Sequence, residues 1–347
     1  MRGFGFREHG GASRLEDVEI PEPEPGSGEV KIRLEAAGFN RLDRFTLEGI
    51  PGVPIERPHV IGSDGSGRVE LAGEGVEDLV PGTPVMLNPS LWDGTCEACR
   101  AGIECYCQNY RILGEHTQGT ATKFVVVPRR NVHPRPASLT AAEAASMPLV
   151  FQTAYRAVLT VGALKPGERV AVIGAGGGVA TAATQIAHWR GAEVAVVTRD
   201  MSKADRARKL GANEVLATRP EAGVDKLLWE WSGKRGVDLI LDSVGVETVG
   251  RSLRALARGG RLVVVGATTG PKAEIDLRTL FWRQASIRGS TMATASEFEA
   301  VVSLIREGHL HPVIDSIFPW AERQAAWRRF EGPSLFGKVV LELSGVD

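Results

Sequence analysis

The chain has almost no cysteine, little tyrosine, no charge excess and no long apolar run, and each shortage removes a class of protein. All four cysteines fall between Cys96 and Cys107, too close together to staple a domain. Metal binding is therefore a better reading of them than a disulfide framework. With 41 basic against 42 acidic residues and a formal net charge of -1, there is no electrostatic case for nucleic acid or an anionic membrane surface. The N-terminal segment Met1-Arg2-Gly3-Phe4-Gly5-Phe6-Arg7-Glu8 lacks the apolar core of a leader, and no later run approaches the length of a membrane span. A cytoplasmic location is expected. There is no internal repeat and no low-complexity tract.

At 347 residues and 43% apolar, the chain is long enough for two domains. Its first third is rich in short strands. Val30 to Ala36 alternates apolar and charged residues after a Pro-rich turn, and Gly67 to Leu71, Pro84 to Leu87 and Lys123 to Val127 are bounded by Gly and Pro. Thr140-Ala141-Ala142-Glu143 is a capping box opening a short helix that Pro148 should disturb. A second helical stretch runs from Thr153 to about Val161.

The pattern then changes. Val170-Ala171-Val172-Ile173 enters Gly174-Ala175-Gly176-Gly177-Gly178-Val179-Ala180, which opens onto a helical segment ending near Trp189. A strand, a glycine turn and a helix in that order let backbone N–H groups approach a pyrophosphate, because no side chain blocks the anion. Counted as Gly174-x-x-Gly177-x-x-Ala180, small residues occupy each crowded point, although a glycine-rich surface turn would read the same way alone. Strand and helix go on alternating through Glu193–Thr198, Lys203–Leu210, Val237–Leu241, Thr248–Ala257 and Arg261–Val265. That alternation predicts a doubly wound parallel sheet. The tail adds a helix, Glu297 to Ile305, and a final strand, Lys338 to Leu343.

Taken together, Gly62-Ser63-Asp64-Gly65-Ser66-Gly67, the cysteine lobe, Ile112-Leu113-Gly114-Glu115-His116, the glycine turn, Gly259-Gly260-Arg261-Leu262 and Phe336-Gly337-Lys338-Val339-Val340-Leu341 give the chain a resemblance to the medium-chain dehydrogenase/reductase family. The resemblance covers essentially the whole sequence. It implies a GroES-like β-rich catalytic domain over 1–150 and 293–347, and a Rossmann NAD(P)-binding domain over 151–292, with the cofactor in the cleft between.

Several residue roles follow from the resemblance. Asp93, Cys96, Cys99 and Cys107 match the spacing of the family's structural zinc lobe, with Asp93 in place of the first cysteine, so one structural zinc on three sulfurs and one oxygen is expected. Cys105 is the spare thiol and could substitute as a ligand. Where the family's alcohol dehydrogenases hold a catalytic zinc, this chain has Asn40, Ser63 and Leu149, none a good zinc ligand. Without a Lewis acid, metal-assisted alcohol oxidation loses its means of lowering the alcohol pKa. The resemblance then turns to the quinone oxidoreductase-like branch, whose Asn-x-x-Asp matches Asn40 and Asp43. A hydride would pass to a quinone or to the β-carbon of a conjugated carbonyl or thioester, with Asn40 as donor to the developing enolate and Asp43 orienting its neighbours or simply bonding loop amides. His116 is a candidate proton relay or a structural histidine.

For the cofactor, the resemblance implies contact by Gly174, Gly176, Gly177, Gly178 and Val179 with the phosphates, and by Thr153, Val265, Gly266, Ser290 and Thr291 around the nicotinamide. Lys338 would reach the phosphates. Thr198 stands where NAD users carry an acid, followed by Arg199 and Lys203, which favours NADP, while Asp200 keeps NAD open. A homodimer or homotetramer is expected, with the apolar segment Leu277 to Trp282 as contact region or as an internally packed helix. Two rival readings stay open. One is a zinc-dependent alcohol dehydrogenase using His59 or Asp64 as ligands, and the other is a non-catalytic nucleotide-binding relative.

Overall fold

The computed structural model describes residues 1–219 and 222–346. It divides into two compact units, one formed by Met1–Leu149 with Thr294–Asp347 and one by Val150–Ala293.

The first unit is GroES-like and β-rich. Its main sheet has the order Val132–Pro134, Pro84–Leu87, Asp64–Ala72, Glu29–Gly38, Lys338–Glu342, Ile314–Pro319, with Phe124–Pro128 also pairing with Glu29–Gly38. Strand Glu29–Gly38 buries three residues in a row at Val30–Ile32 and again at Ala36–Gly38, as expected of the strand about which a sheet closes. The tail strand pairs antiparallel with it, Val340 opposite Gly38. On the other side Gly38 lies opposite Asp64. Continued past Gly38, those registers set Asn40 between Lys338 and the Gly62–Asp64 segment.

Gly38 is obligatory for another reason: a Cβ there would fall 2.2 Å from the Ala145 carbonyl oxygen. Just beyond it, Phe39 is buried against Trp327 and Phe330, with ring centroids 5.5 and 6.0 Å apart. Burial of rings this large supplies about 2–3 kcal/mol each, and here it pins the backbone that carries Asn40. Helix Arg41–Glu48 starts at once, so Asp43 sits in a first helical turn and not in a loop. Thr140 and Glu143 form the expected reciprocal cap of helix Ala141–Ala144. Pro148 does not break a helix but starts one, Pro148–Tyr155, since a first-turn proline gives up an N–H that has no helical partner anyway.

The second unit is Rossmann-like. Its six strands are all parallel, in the spatial order Glu214–Ala217, Glu193–Thr198, Arg169–Ile173, Val237–Asp242, Leu256–Val264, Ser286–Gly289. The chain therefore starts in the middle of the sheet, winds to one edge, returns and winds to the other. Both faces are covered, so the central strands Arg169–Ile173 and Val237–Asp242 are buried almost without interruption. No helix among the described residues is long and apolar enough to cross a membrane.

Candidate active site

At the carboxyl edge of the parallel sheet, the central strand ends at Ile173 and Gly174 turns the chain with φ +100°, a conformation that side-chain-bearing residues seldom adopt. A Cβ at Gly174 or at Gly177 would meet nothing within 4 Å. The turn is thus an open cradle and not a packing contact. Gly177 caps helix Gly178–Trp189, whose first amides lack intrahelical acceptors and carry the positive end of the helix dipole. A nicotinamide dinucleotide's pyrophosphate fits this arrangement.

Because all six strands run the same way, their ends gather the other expected cofactor residues at that edge. Thr198 closes its strand, and its hydroxyl accepts from the Asp200 amide at 3.1 Å. Asp200 caps the following turn through Ser202 N at 3.0 Å, and Lys203 Nζ lies 3.9 Å from its carboxylate. The Arg199 side chain is 84% exposed, 3.9 Å from Glu247. Val265 N bonds Asp242 O and Ser290 N bonds Val264 O, at 2.9 and 3.1 Å, which places Gly266, Ser290 and Thr291 directly past adjoining strand ends. The Ser290 hydroxyl is shielded from solvent and unpartnered, as a group awaiting a ligand would be. Thr153 lies in helix Pro148–Tyr155, its hydroxyl 3.7 Å from Met292 Sδ.

In the β-rich unit, the registers described above build a closed polar cluster. Asp64 Oδ2 accepts from Asn40 Nδ2 and from Lys338 Nζ, each at 2.9 Å, while Oδ1 accepts from the Leu149 amide at 2.8 Å. Lys338 Nζ also donates to Asn40 Oδ1. Asp43 Oδ2 accepts from Asn40 N at 2.7 Å and Oδ1 from Gly62 N at 3.2 Å. Asp43 is fully buried, and that burial pushes its pKa up to about 7 against the opposing pull of the Asn40 amide and the Lys338 charge.

Two expected roles look different in this light. Lys338 does not carry a free ammonium toward phosphates: it is 4% exposed and bonded to Asp64 and Asn40. Asn40 has its amide oxygen on Lys338, and its Nδ2 donates to Asp64 and to Gly38 O, so its donor capacity is spent inside the protein. Asp43 bonds backbone amides, the second of the two roles open to it. Asp64 is the centre of the cluster, although the sequence pointed to it only as an alternative metal ligand. His116 Nδ1 accepts from Ile112 N at 3.1 Å, a bond that fixes the orientation of the ring.

The donor set Asn40, Ser63 and Leu149 does not fit a catalytic zinc. Leu149 offers an aliphatic side chain, and its amide is engaged with Asp64. The alternative ligands are committed too: both Asp64 oxygens are bonded, and His59, 2% exposed, places Nε2 3.0 Å from Gly114 O.

The cysteine lobe does fit a metal. One ligand atom from each of Asp93, Cys96, Cys99 and Cys107 lies within 4.8 Å of the others, and they form the only such group of His, Cys, Asp and Glu among the described residues. Tetrahedral zinc–sulfur bonds would set the sulfurs about 3.7 Å apart, and Cys96 Sγ and Cys99 Sγ are 3.5 Å apart. Asp93 Oδ1 accepts from Thr95 N and Cys96 N, and Oδ2 from Asn109 Nδ2. Those bonds hold its carboxyl well below the usual range and fix its orientation as metal ligands require. Cys105 is half-buried and outside the group.

Comparison with known proteins agrees with this architecture. Residues 26–137 match the alcohol dehydrogenase GroES-like domain, and residues 178–307 match the zinc-binding dehydrogenase module. The chain is 30% identical to 2-dehydro-3-deoxy-L-galactonate 5-dehydrogenase of Pseudoalteromonas atlantica, over 92% of each chain. It is 31% identical to the crotonyl-CoA carboxylase/reductase of Cereibacter sphaeroides, over 92% of this chain and 81% of that one. Among solved structures, an NAD-dependent alcohol dehydrogenase superposes with a TM-score of 0.93 at 40% identity, covering 99% of this chain and all of the other.

Proposed function

The chain belongs to the zinc-type alcohol dehydrogenase-like, medium-chain dehydrogenase/reductase family of NAD(P)-dependent oxidoreductases, and we propose that within it this protein is a metal-independent reductase of conjugated carbonyl compounds. The reaction passes a hydride from NADPH to the β-carbon of an α,β-unsaturated carbonyl or thioester, or to a quinone. A nicotinamide cofactor supplies the hydride when bound; the chain's own residues bind it, hold the acceptor and stabilise the charge that develops on oxygen.

The observation that carries this reading is the Lys338–Asp64–Asn40 cluster. At the positions where zinc-using relatives polarise an alcohol, this chain offers an amide, a hydroxyl and a leucine, and the nearest carboxylate is already neutralised by an internal ammonium. A site of this kind lacks the Lewis acid that alcohol oxidation near neutral pH needs, whereas enolate formation needs only hydrogen-bond donors. The likeness to a crotonyl-CoA reductase supports a thioester as one acceptor. For the cofactor, the exposed Arg199 guanidinium beside Thr198 supports a 2′-phosphate.

The likeness to an NAD-dependent alcohol dehydrogenase favours a second reading, alcohol oxidation with NAD held by Asp200. One experiment separates them: zinc per chain on chelator-washed protein, beside NADPH oxidation with a quinone, an enone and a crotonyl thioester. One zinc and chelator-insensitive reduction are expected. Two zincs with chelator-sensitive alcohol oxidation would overturn the reductase.

A further inference from the structure

Strand Phe124–Pro128 is apolar on both sides. Val125 and Val127 face the core of the β-rich unit, so Phe124, Val126 and Pro128, spaced two apart, face the other way. An outward face of an antiparallel sheet ordinarily carries polar residues. This one instead forms a wall of a cavity of about 600 Å³ that lies wholly within the β-rich unit, a size typical of small-ligand sites, roughly 300–1,000 Å³. The cavity shares no lining residue with the Asn40–Asp64–Lys338 cluster or with the glycine turn.

Its other walls are held in place. Residues 21–25 read Pro-Glu-Pro-Glu-Pro, an extended segment tied to the same sheet. Lys31, opposite Val126 in the ladder and 4.8 Å from the Phe124 ring centroid, bonds Glu22 and Glu24 at 2.6 and 2.9 Å. The alternate residues Pro21 and Pro23 then turn to the cavity. Across the ladder of Ser90–Leu91 with Arg111–Ile112, Leu91 and Arg111 are direct partners, so both project from one face of it, and both line the cavity. Ser90 anchors this ladder: its hydroxyl accepts from Tyr110 Oη at 2.7 Å and its carbonyl from Asn131 Nδ2. Trp92 continues the wall, with the Arg130 guanidinium 5.1 Å from its ring centroid.

The charged side chains in the lining are Glu29, Glu56, Asp93 and Arg111. Glu29 accepts from Gly26 N at 3.0 Å, and Asp93 is engaged with Thr95, Cys96 and Asn109. Glu56 lies in the irregular stretch between helix Arg41–Glu48 and strand His59–Val60, with no ladder to aim it. Arg111 is exposed, sits on a hydrogen-bonded ladder and enters no ion pair among the described residues, and its guanidinium stays protonated at any ordinary pH. The cavity therefore joins an apolar wall to one positioned, unpaired cation.

We propose that this cavity is a binding site for an amphipathic monocarboxylate, its chain or ring lying on Phe124, Val126, Leu91 and Trp92 and its carboxylate on the Arg111 guanidinium. The planar guanidinium suits that head group because it donates two parallel hydrogen bonds to the two oxygens. The site is separate from the hydride transfer proposed above and holds whether or not that reaction is the right one.

Octanoate, octan-1-ol and octylamine share one chain and differ only in the head group. Their binding to the full-length protein, as wild type, Arg111→Gln and Val126→Trp, is measured by titration calorimetry. Expected are one saturable octanoate site per chain and binding weaker by about 10–100-fold in Arg111→Gln. Octanol should bind wild type more weakly than octanoate and be indifferent to Arg111→Gln. Val126→Trp should lose both ligands, because the indole fills the cavity. Circular dichroism confirms that each variant keeps its fold, and Leu91→Trp fills the cavity from another wall should Val126→Trp fail to fold. Octylamine binding more tightly than octanoate would assign the polar end to a carboxylate and overturn the proposal. Octanoate affinity that either variant leaves within about twofold of wild type also overturns it, since the acid would then lie elsewhere on the protein. So does the absence of saturable binding at millimolar octanoate.

Discussion

The Lys338 ammonium lies 2.9 Å from Asp64 Oδ2 inside the β-rich unit, with the two side chains 4% and 0% exposed. The two residues are 274 positions apart in sequence, joined because the tail strand docks on one side of Glu29–Gly38 and Asp64–Ala72 on the other. A pair so thoroughly desolvated contributes little net stability over an apolar substitute, but removing one member strands a buried charge. Lys338→Met is expected to destabilise the chain by about 3–5 kcal/mol, and Asp64→Leu combined with it to recover most of that loss. Denaturant unfolding of the two single variants and the double variant measures the coupling directly, and additive losses would show that the pair is not the unit described here.

Asp43 gives the same cluster a pH dependence. Its folded-state pKa of about 7 lies above the ordinary value of 3.8, so the folded protein holds a proton that the unfolded chain releases earlier. The sign follows: the folded state loses stability as pH rises from about 4 to about 7, at up to about 1.4 kcal/mol per pH unit, and the loss levels off above that. In Asp43→Asn this slope should be absent, whatever the variant's absolute stability. Unfolding free energies of both proteins between pH 4.5 and 8 check this, and parallel curves would refute the assignment.

The cysteine lobe predicts that metal and turnover come apart. Asp93, Cys96, Cys99 and Cys107 are the group able to hold a metal ion, on a lobe that contributes nothing to the Asn40–Asp64–Lys338 cluster. Removing zinc with a chelator, or replacing Cys107 by serine, should lower the thermal midpoint by several degrees and leave initial rates of the intact fraction unchanged. Loss of rate in step with loss of zinc would place the metal in the reaction.

On the proposed reading, Arg199 and Lys203 favour NADPH and Asp200 favours NADH. Arg199 has only a distant ion pair with Glu247, at 3.9 Å, so little protein structure depends on it. Arg199→Glu should cut kcat/KM with NADPH by at least about tenfold, or 1.4 kcal/mol, and leave NADH unchanged or improved. An equal drop with both cofactors would mean that this side chain does not discriminate.

What the sequence showed and what it withheld follow from the range of the interactions involved. The parallel sheet was legible because each strand is a short apolar run next to its own helix, as in Val170–Ile173 and Glu193–Thr198, and the glycine turn is a local signal. Helix Arg41–Glu48 was not, since it is only eight residues long and starts three residues after a strand ends at Gly38. Strands Glu214–Ala217 and Ile314–Pro319, with mixed burial, lack the clean alternation that identifies a strand. The spent donors of Asn40 and the burial of Lys338 depend on a register between strands far apart in sequence, which no local pattern encodes. The buried, unpartnered hydroxyl of Ser63 is harder still to foresee, because a missing partner is visible only when every neighbour has been placed.

The Rossmann-like unit leaves a surface that water should not cover well. Helix Leu277–Arg283 presents Leu277, Phe281 and Trp282 at 67%, 66% and 69% exposure, so the alternative of an internally packed helix does not hold for these three side chains. Directly after it comes strand Ser286–Gly289, the last of its sheet and paired on one side only. An exposed edge strand beside large apolar groups invites pairing with another chain unless a partner covers it. A second copy meeting the first about a two-fold axis would join the two edges antiparallel and bury both sets of aromatic residues, a self-complementary contact that closes after one addition. Native protein is therefore expected to sediment as a dimer or a multiple of it. Phe281→Asp with Trp282→Asp should shift it toward monomer while keeping the circular dichroism of the folded chain. Unaltered sedimentation of that double variant would show that the patch is not the contact between subunits.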